Sequence, residues 1–229
     1  MKIGGLQRVS LIDYPGKICA ILFTQGCDFR CPYCHNPELV NPDLYEECIP
    51  EDEIFSFLER RRGKLDAVTI TGGEPTVQPD LVEFARRVKK MGYLVKIDTN
   101  GSRPEVLKKL IDRKLVDYIA MDVKAPLEKY RKICKANVNY DNIRRSIKMI
   151  MDSGVEYEFR TTVVKSLLTG DDLQKIGNEI LGARLYVLQK FVPSKSLDER
   201  FLAKTTYSDK YFETLKEKLG NYVHCVVVR

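Results

Sequence analysis

The chain has 229 residues, 44% of them hydrophobic and 31% charged, a balance that fits a globular protein and excludes a disordered or fibrous one. Its longest apolar run, Ile18 to Phe23, is too short to cross a membrane, and Met1-Lys2-Ile3-Gly4-Gly5 lacks the apolar core of a signal peptide, so no membrane partner and a cytoplasmic location are expected. The net charge of +6 sits in small groups such as Arg60-Arg61-Arg62 and Arg86-Arg87; without interleaved aromatics these read as solvated helix faces or a dock for an acidic protein, and no nucleic acid is expected.

Residues 1–16 read as irregular, with Gly4-Gly5 and Asp13-Tyr14-Pro15-Gly16 as turn signals. A first strand is expected over Lys17 to Thr24, followed by a loop holding Cys27, Cys31 and Cys34. Glu51 to Arg62 reads as a helix stopped by Gly63. A strand over Ala67 to Thr71 ends at Gly72-Gly73-Glu74-Pro75, and a helix over Gln78 to Met91 follows. The third strand, Tyr93 to Asp98, ends at Thr99-Asn100-Gly101; Ser102 and Glu105 form a capping-box pattern for the next helix. The fourth strand, Tyr118 to Val123, carries Asp122 and leads to Lys124. A helix over Asp141 to Asp152, a strand over Glu156 to Val164, a helix over Asp171 to Leu181 and a strand over Leu185 to Phe191 complete the pattern. A helix capped by Ser208 and a strand over Tyr222 to Val228 close the chain.

About six strand–helix units predict an α/β fold, a parallel sheet curled into a partial (β/α)6 barrel. One domain is expected over 1–229, with a barrel core at 16–191 and a C-terminal extension at 192–229. Ligands of such sheets bind at the carboxyl ends of the strands. The cysteine loop, Gly72-Gly73-Glu74, Asp98-Thr99-Asn100-Gly101 and Asp122-Val123-Lys124 all fall at those ends, so four segments are expected to converge on one mouth.

Seven cysteines in a reducing compartment argue for metal binding rather than disulfides. Cys19 and Cys225 lie in apolar runs and read as core residues, while Cys48 and Cys134 are scattered. Zinc held by Cys27, Cys31, Cys34 and His35 is one reading, but four ligands within nine residues would be crowded. An electron-transfer cluster would want a fourth cysteine. A four-iron cluster held by three cysteines, with one iron open, is the reading preferred here.

Cys27-x-x-x-Cys31-x-Tyr33-Cys34 resembles the signature of the radical S-adenosylmethionine superfamily, which also has a TIM-barrel-like fold, and Gly72-Gly73-Glu74 supports the resemblance. The resemblance implies a 4Fe-4S cluster on Cys27, Cys31 and Cys34. Its open iron would bind S-adenosyl-L-methionine, which one electron cleaves to a 5′-deoxyadenosyl radical that takes a hydrogen atom from the substrate. Gly72 and Gly73 would admit the ligand to the backbone, and Glu74 would accept a bond from the methionyl amine. Asp-Thr-Asn-Gly and Asp-x-Lys segments are similar to those that hold a monovalent cation in pyruvate formate-lyase activating enzymes. That likeness makes Asp98 and Asp122 candidate cation ligands, Asn100 a cofactor contact, and Lys124 and Arg160 partners of the cofactor carboxylate or ribose. Gln189 is assigned to the adenosine; Tyr33 is assigned either to the adenine or to packing beneath the loop.

The segments Gly5-Leu6-Gln7, Asp13 to Lys17, Phe23 to Cys27 and Cys34 to Leu39 resemble activating proteins of anaerobic ribonucleoside-triphosphate reductase. This implies abstraction of a glycine Cα hydrogen from a glycyl radical enzyme. The absence of a second close-set cysteine group implies flavodoxin or ferredoxin as electron donor. The alternatives are a radical enzyme acting on a metabolite or peptide, and an iron–sulfur or zinc binding module.

Overall fold

The computed structural model describes residues 1–229. The strands are β1 (Ile3–Ser10), β2 (Cys19–Thr24), β3 (Ala67–Gly72), β4 (Leu94–Thr99), β5 (Tyr118–Asp122), β6 (Glu156–Val163), β7 (Tyr186–Lys190) and β8 (Val226–Val228). The helices are α1 (Pro37–Val40), α2 (Glu51–Arg60), α3 (Leu81–Lys90), α4 (Pro104–Asp112), α5 (Tyr130–Cys134), α6 (Tyr140–Asp152), α7 (Gly170–Glu179) and α8 (Asp209–Leu219).

All eight strands form one sheet in sequence order. β1 is antiparallel to β2, and every pair from β2 to β8 is parallel. Parallel neighbours need a crossover, and the helices supply it by laying apolar stripes on the sheet. In α3 that stripe is Leu81, Phe84, Ala85 and Val88, the i, i+3, i+4, i+7 spacing of one helix face.

The two faces of each strand do different work. On β2, Ala20 and Leu22 belong to the large core beneath the helices, whereas Cys19 and Ile21 join a small cluster with Tyr14, Ala67, Tyr118 and Ala120. Tyr14 lies against Tyr118 with ring centroids 5.6 Å apart. The same inner face carries Lys96 and Asp98 on β4, Asp122 on β5, and Glu158 and Arg160 on β6. The apolar chemistry therefore holds the sheet to its helices, and the polar chemistry is collected inside the curve.

The partial barrel expected from the strand–helix alternation is present. Its sheet, however, runs past both ends of the expected 16–191 core, through β1 and β8. β1 was expected to be irregular. It is an edge strand with register shifts at Ile3/Gly5 and Gln7/Ser10, which disturb the alternation that marks a strand. A Cβ on Gly4 would stand 2.7 Å from the Leu39 side chain, so that glycine serves packing rather than a turn.

The expected Ser102–Glu105 capping box does not form. Pro104 opens α4 with Arg103 at the cap, and the buried Ser102 hydroxyl has no partner. Gln78 to Asp80 precede α3 rather than joining it. The last strand keeps only Val226–Val228, and Cys225, expected in the core, is exposed. Cys19 is buried as expected.

Ile97, on β4, is fully buried in the large core. Ile97→Ala is expected to lower stability by about 2–5 kcal/mol, read as a lower urea midpoint at unchanged slope. A midpoint shift within error would remove this strand from the weight-bearing core.

Candidate functional site

The cysteine loop leaves β2 and is gripped along its length. Gly26, at φ +101°, starts the turn and donates its N–H to the Leu39 carbonyl at 2.7 Å. The Arg30 guanidinium donates to the carbonyls of Cys27 (2.6 Å) and Phe29 (2.8 Å), curling the loop around its own side chain. The Arg30 N–H donates to the Cys134 carbonyl at the end of α5 (2.8 Å), and Phe29 meets Tyr130 edge-on. From the other side, the N–H groups of Leu197 and Asp198 donate to the carbonyls of Cys34 and Pro32. The His35 ring stacks on Phe191, with Nε2 3.0 Å from the Val192 carbonyl.

All three thiols line one cavity of about 410 Å³, with Gly72, Gly73, Glu74, Asp98, Asn100, Asp122, Lys124, Arg160 and Gln189 around it. Every residue assigned to the site from the sequence therefore reaches the same cavity, Tyr33 included. The Tyr33 ring is buried and tilts against Phe201, which agrees with packing beneath the loop. Burial pushes the Cys27 and Cys34 thiols above their ordinary pKa, whereas the Cys134 thiol beside Cys31 holds that one down against its burial.

The donor set fits a thiophilic iron cluster. Three free thiols line one cavity, the Cys134 thiol beside Cys31 lies outside that lining, and the Phe29 N–H supports Cys27 Sγ at 3.4 Å. No three His, Cys, Asp or Glu side chains close on a single point as a one-ion site would need. His35 is instead turned to Phe191 and Val192.

Gly72 and Gly73 meet the backbone of the cysteine loop, a role the sequence did not suggest. Gly72 sits at φ +105°, and a Cβ there would stand 2.5 Å from the Thr24 nitrogen; one on Gly73 would overlap the Gly26 carbonyl oxygen. The Gly73 N–H donates to the Thr24 carbonyl and the Glu74 N–H to the Gly26 carbonyl, each at 2.8 Å.

Glu74 is almost wholly buried, and both of its oxygens are engaged. Oε1 accepts from the Thr76 N–H (3.1 Å), the Thr76 hydroxyl (2.5 Å) and the Thr99 hydroxyl (2.7 Å). Oε2 accepts from the Asn100 N–H at 2.6 Å. Asn100 in turn donates its amide to Asp28 at 2.9 Å. Burial, then the Asp28 charge, push Glu74 up to about 7 despite these donors. Thr76 and Asp28 are site residues that sequence reading missed, and Thr99, quoted there only as part of its segment, takes a specific role as a donor to Glu74. Their signal was position: each flanks a motif residue by one or two places.

Asp98 and Asp122 come together across β4 and β5, but Arg160 stands between them. Its Nε donates to Asp122 at 2.9 Å and its Nη1 to Asp98 at 3.2 Å. Lys96 donates to Asp98 at 2.5 Å and Lys124 to Asp122 at 3.2 Å. Burial alone would raise both carboxyls; Arg160 with its lysine neighbours outweighs it, holding Asp98 below its ordinary value and Asp122 at about 2. The two aspartates expected as cation ligands are thus neighbours, and the Arg160 guanidinium bridges them. Lys124 and Arg160, expected to face the cofactor carboxylate, are engaged with these two aspartates. Gln189 accepts from the Thr162 hydroxyl at 3.4 Å.

Residues 21–178 match the family model described as the Radical SAM superfamily. A Methanocaldococcus jannaschii protein described as a glycyl-radical enzyme activating enzyme is 36% identical over 99% of this chain and 95% of its own. The pyruvate formate-lyase-activating enzyme of Clostridium pasteurianum is 29% identical over 86% of this chain and 83% of its own. Among solved structures, Streptococcus suis SuiB bound to precursor peptide SuiA superposes with a TM-score of 0.72 at 13% identity, covering 91% of this chain. The chain spans about half of that protein, 48%. A domain of pyruvate-formate lyase-activating enzyme from Bacteroides vulgatus gives 0.57 at 16% identity, over 71% of this chain and 98% of that domain. At such identities the structural likeness speaks for the fold.

The raised Glu74 pKa has a signed consequence. Between its ordinary 4.5 and about 7, the folded chain keeps a proton that the unfolded chain has released, so stability falls as pH rises through that window. At 1.36 kcal/mol per unit, the iron-free protein is expected to lose about 3 kcal/mol relative to Glu74→Gln between pH 4.5 and 7. Urea midpoints of the two proteins across that range measure it, and parallel curves would refute the buried, raised carboxyl.

Proposed function

The chain belongs to the Radical SAM superfamily and, within it, to the glycyl-radical-enzyme activating enzymes, and from that membership we propose that its target is an anaerobic ribonucleoside-triphosphate reductase. Bound together, the family's 4Fe-4S cluster and S-adenosylmethionine supply a one-electron reductive cleavage and the hydrogen-atom abstraction that follows, here from a glycine Cα of the partner.

The chain's own residues bind, orient and shield. Cys27, Cys31 and Cys34 would hold the cluster and leave one iron to the cofactor's amino and carboxylate groups. Glu74 fixes Thr99 and Asn100 at the end of β4, so its part in cofactor binding is exerted largely through the wall it holds. Lys124 and Arg160 can exchange part of their bonding to Asp122 and Asp98 for a cofactor carboxylate, a trade between like partners that leaves no buried charge unpaired. Gln189 and Asn100 offer amide groups to the adenosine and ribose, and Tyr33 supports the loop.

The observation that carries this reading is the convergence of the Cys27, Cys31 and Cys34 thiols with the carboxyl ends of β2 to β7 on one cavity. The choice of target rests on the resemblance of Asp13 to Lys17, Phe23 to Cys27 and Cys34 to Leu39 to reductase activators. The reaction is assigned to the cytoplasm, with flavodoxin or ferredoxin as electron source.

The test is anaerobic reconstitution with iron and sulfide, followed by dithionite and S-adenosylmethionine. 5′-Deoxyadenosine is expected from the native protein and not from Cys27→Ala, Cys31→Ala or Cys34→Ala. With the reductase added, a glycyl radical doublet should appear in the electron paramagnetic resonance spectrum. Full cofactor cleavage by a cysteine variant would sink the cluster assignment. Cleavage without the doublet would remove the reductase as target and return the metabolite or peptide reading.

A further inference from the structure

Asp28 is the charged residue that follows the first thiol of the loop directly. Its side chain is 28% exposed, and its Oδ1 accepts from the Asn100 amide, at the end of β4, at 2.9 Å. The ties of the loop at Gly26, Arg30, Pro32 and Cys34 run between backbone groups. The Asp28 tie runs through side chains, and it joins the segment beside Cys27 to the cavity wall.

The direction of the Asn100 amide is fixed by its other bonds. The residue is buried, its Oδ1 accepts from the Ser102 N–H at 2.9 Å, and its backbone N–H donates to Glu74 Oε2 at 2.6 Å. With the oxygen taken by a donor, the nitrogen must face the loop. Nδ2 stands 2.9 Å from Asp28 Oδ1 and 4.0 Å from Cys27 Sγ. One of its two N–H bonds goes to Asp28, and the other stays available to the cavity. Two carboxylates therefore hold one asparagine, Glu74 by its backbone and Asp28 by its side chain.

The charge of Asp28 is only partly offset. The one ion pair it makes is with Arg103, whose Nε lies 3.9 Å from Oδ2, beyond hydrogen-bond distance, on a side chain 44% exposed. A carboxylate so placed opposes further negative charge at the neighbouring thiols.

We propose that Asp28 is a positioning residue for the Cys27 ligand, acting through Asn100, and that its negative charge makes the centre held by the three thiols harder to reduce. The inference rests on the functional reading above and extends it to what sets the strength of the reductant. A centre that is harder to reduce is, once reduced, a stronger donor to the bond it must break.

The test compares Asp28→Asn, which keeps an acceptor for the Asn100 amide and removes the charge, with Asp28→Ala, which removes both. Amide hydrogen exchange of the iron-free proteins reads the brace. Exchange at Phe29 and Arg30 is expected to be about tenfold faster in Asp28→Ala and native in Asp28→Asn. Potentiometric titration of the reconstituted proteins, followed by electron paramagnetic resonance without S-adenosylmethionine, reads the charge. In Asp28→Asn the one-electron equilibrium is expected to move about threefold toward the reduced form, about 28 mV at 59 mV per tenfold. A residue that merely packed the loop would leave the potential of the amide variant unmoved. Native exchange in Asp28→Ala overturns the brace, and a potential in Asp28→Asn at or below the native one overturns the charge; either result overturns the proposal. Should Asp28→Ala not fold, the potential of Asp28→Asn decides alone. Failure of the native protein to take up a cluster would instead overturn the functional reading, and the exchange arm would still decide the brace.

Discussion

The contact between the chain leaving β2 and the chain leaving β3 is the constraint on which the site depends. Gly73 and Glu74 donate their N–H groups to the Thr24 and Gly26 carbonyls, and the two glycines bring the backbones too close for any Cβ. The Glu74 side chain then reaches the next strand end and holds Thr99 and Asn100 through its two oxygens. Three consecutive strand ends are fixed to one another before any ligand is present. A cofactor arriving there meets a wall already built, so little ordering cost is left to binding.

The second organising feature is the row of charges inside the curve of the sheet. Lys96, Asp98, Arg160, Asp122 and Lys124 alternate in sign, and Glu158 continues the row to Arg229, with 3.0 Å between them. Such groups are tolerated in the interior because each has partners of the opposite sign. The row and Glu74 respond to pH in opposite senses. The Asp122 pairing stabilises above its ordinary 3.8 and is lost as pH falls through about 2. Glu74, with no cation beside it, instead costs stability as pH climbs toward 7. One wall of the cavity is therefore strongly ionised while the other is poised near neutrality.

The strand–helix alternation was legible because buried parallel strands read as apolar runs and their helices as 3.6-period stripes. The site was legible for a different reason: the fold class alone sends the polar groups after each strand to the same end of the sheet. What stayed hidden was decided by contacts far apart in sequence. β1 is held as a strand by pairing to β2 despite two register breaks, and no local pattern announces that. The capping box failed because Pro104 fixed the start of α4 at a position where Ser102 could not cap it. The reason for Gly72-Gly73 was misread in part, since a glycine pair says that backbones approach and not which one approaches. The guanidinium between Asp98 and Asp122 was equally invisible, because Arg160 lies 38 residues from the nearer aspartate.

The two sides of the cysteine loop show one kind of charge in two different environments. Inside, Arg160 is held by two partly buried carboxylates, and the surroundings, drier than the outer surface, make the arrangement stiff and directional. Outside, Lys135 and Arg200 share the single carboxylate of Asp198 in contact with solvent, where ion pairs are weak and screened by salt. Charges bound so loosely exchange partners readily. Charges bound as tightly as Arg160 suit a geometry that must not drift between turnovers. Burial, more than the kind of residue, separates the two uses: an arginine and a lysine serve on each side, and the solvent decides which role they have.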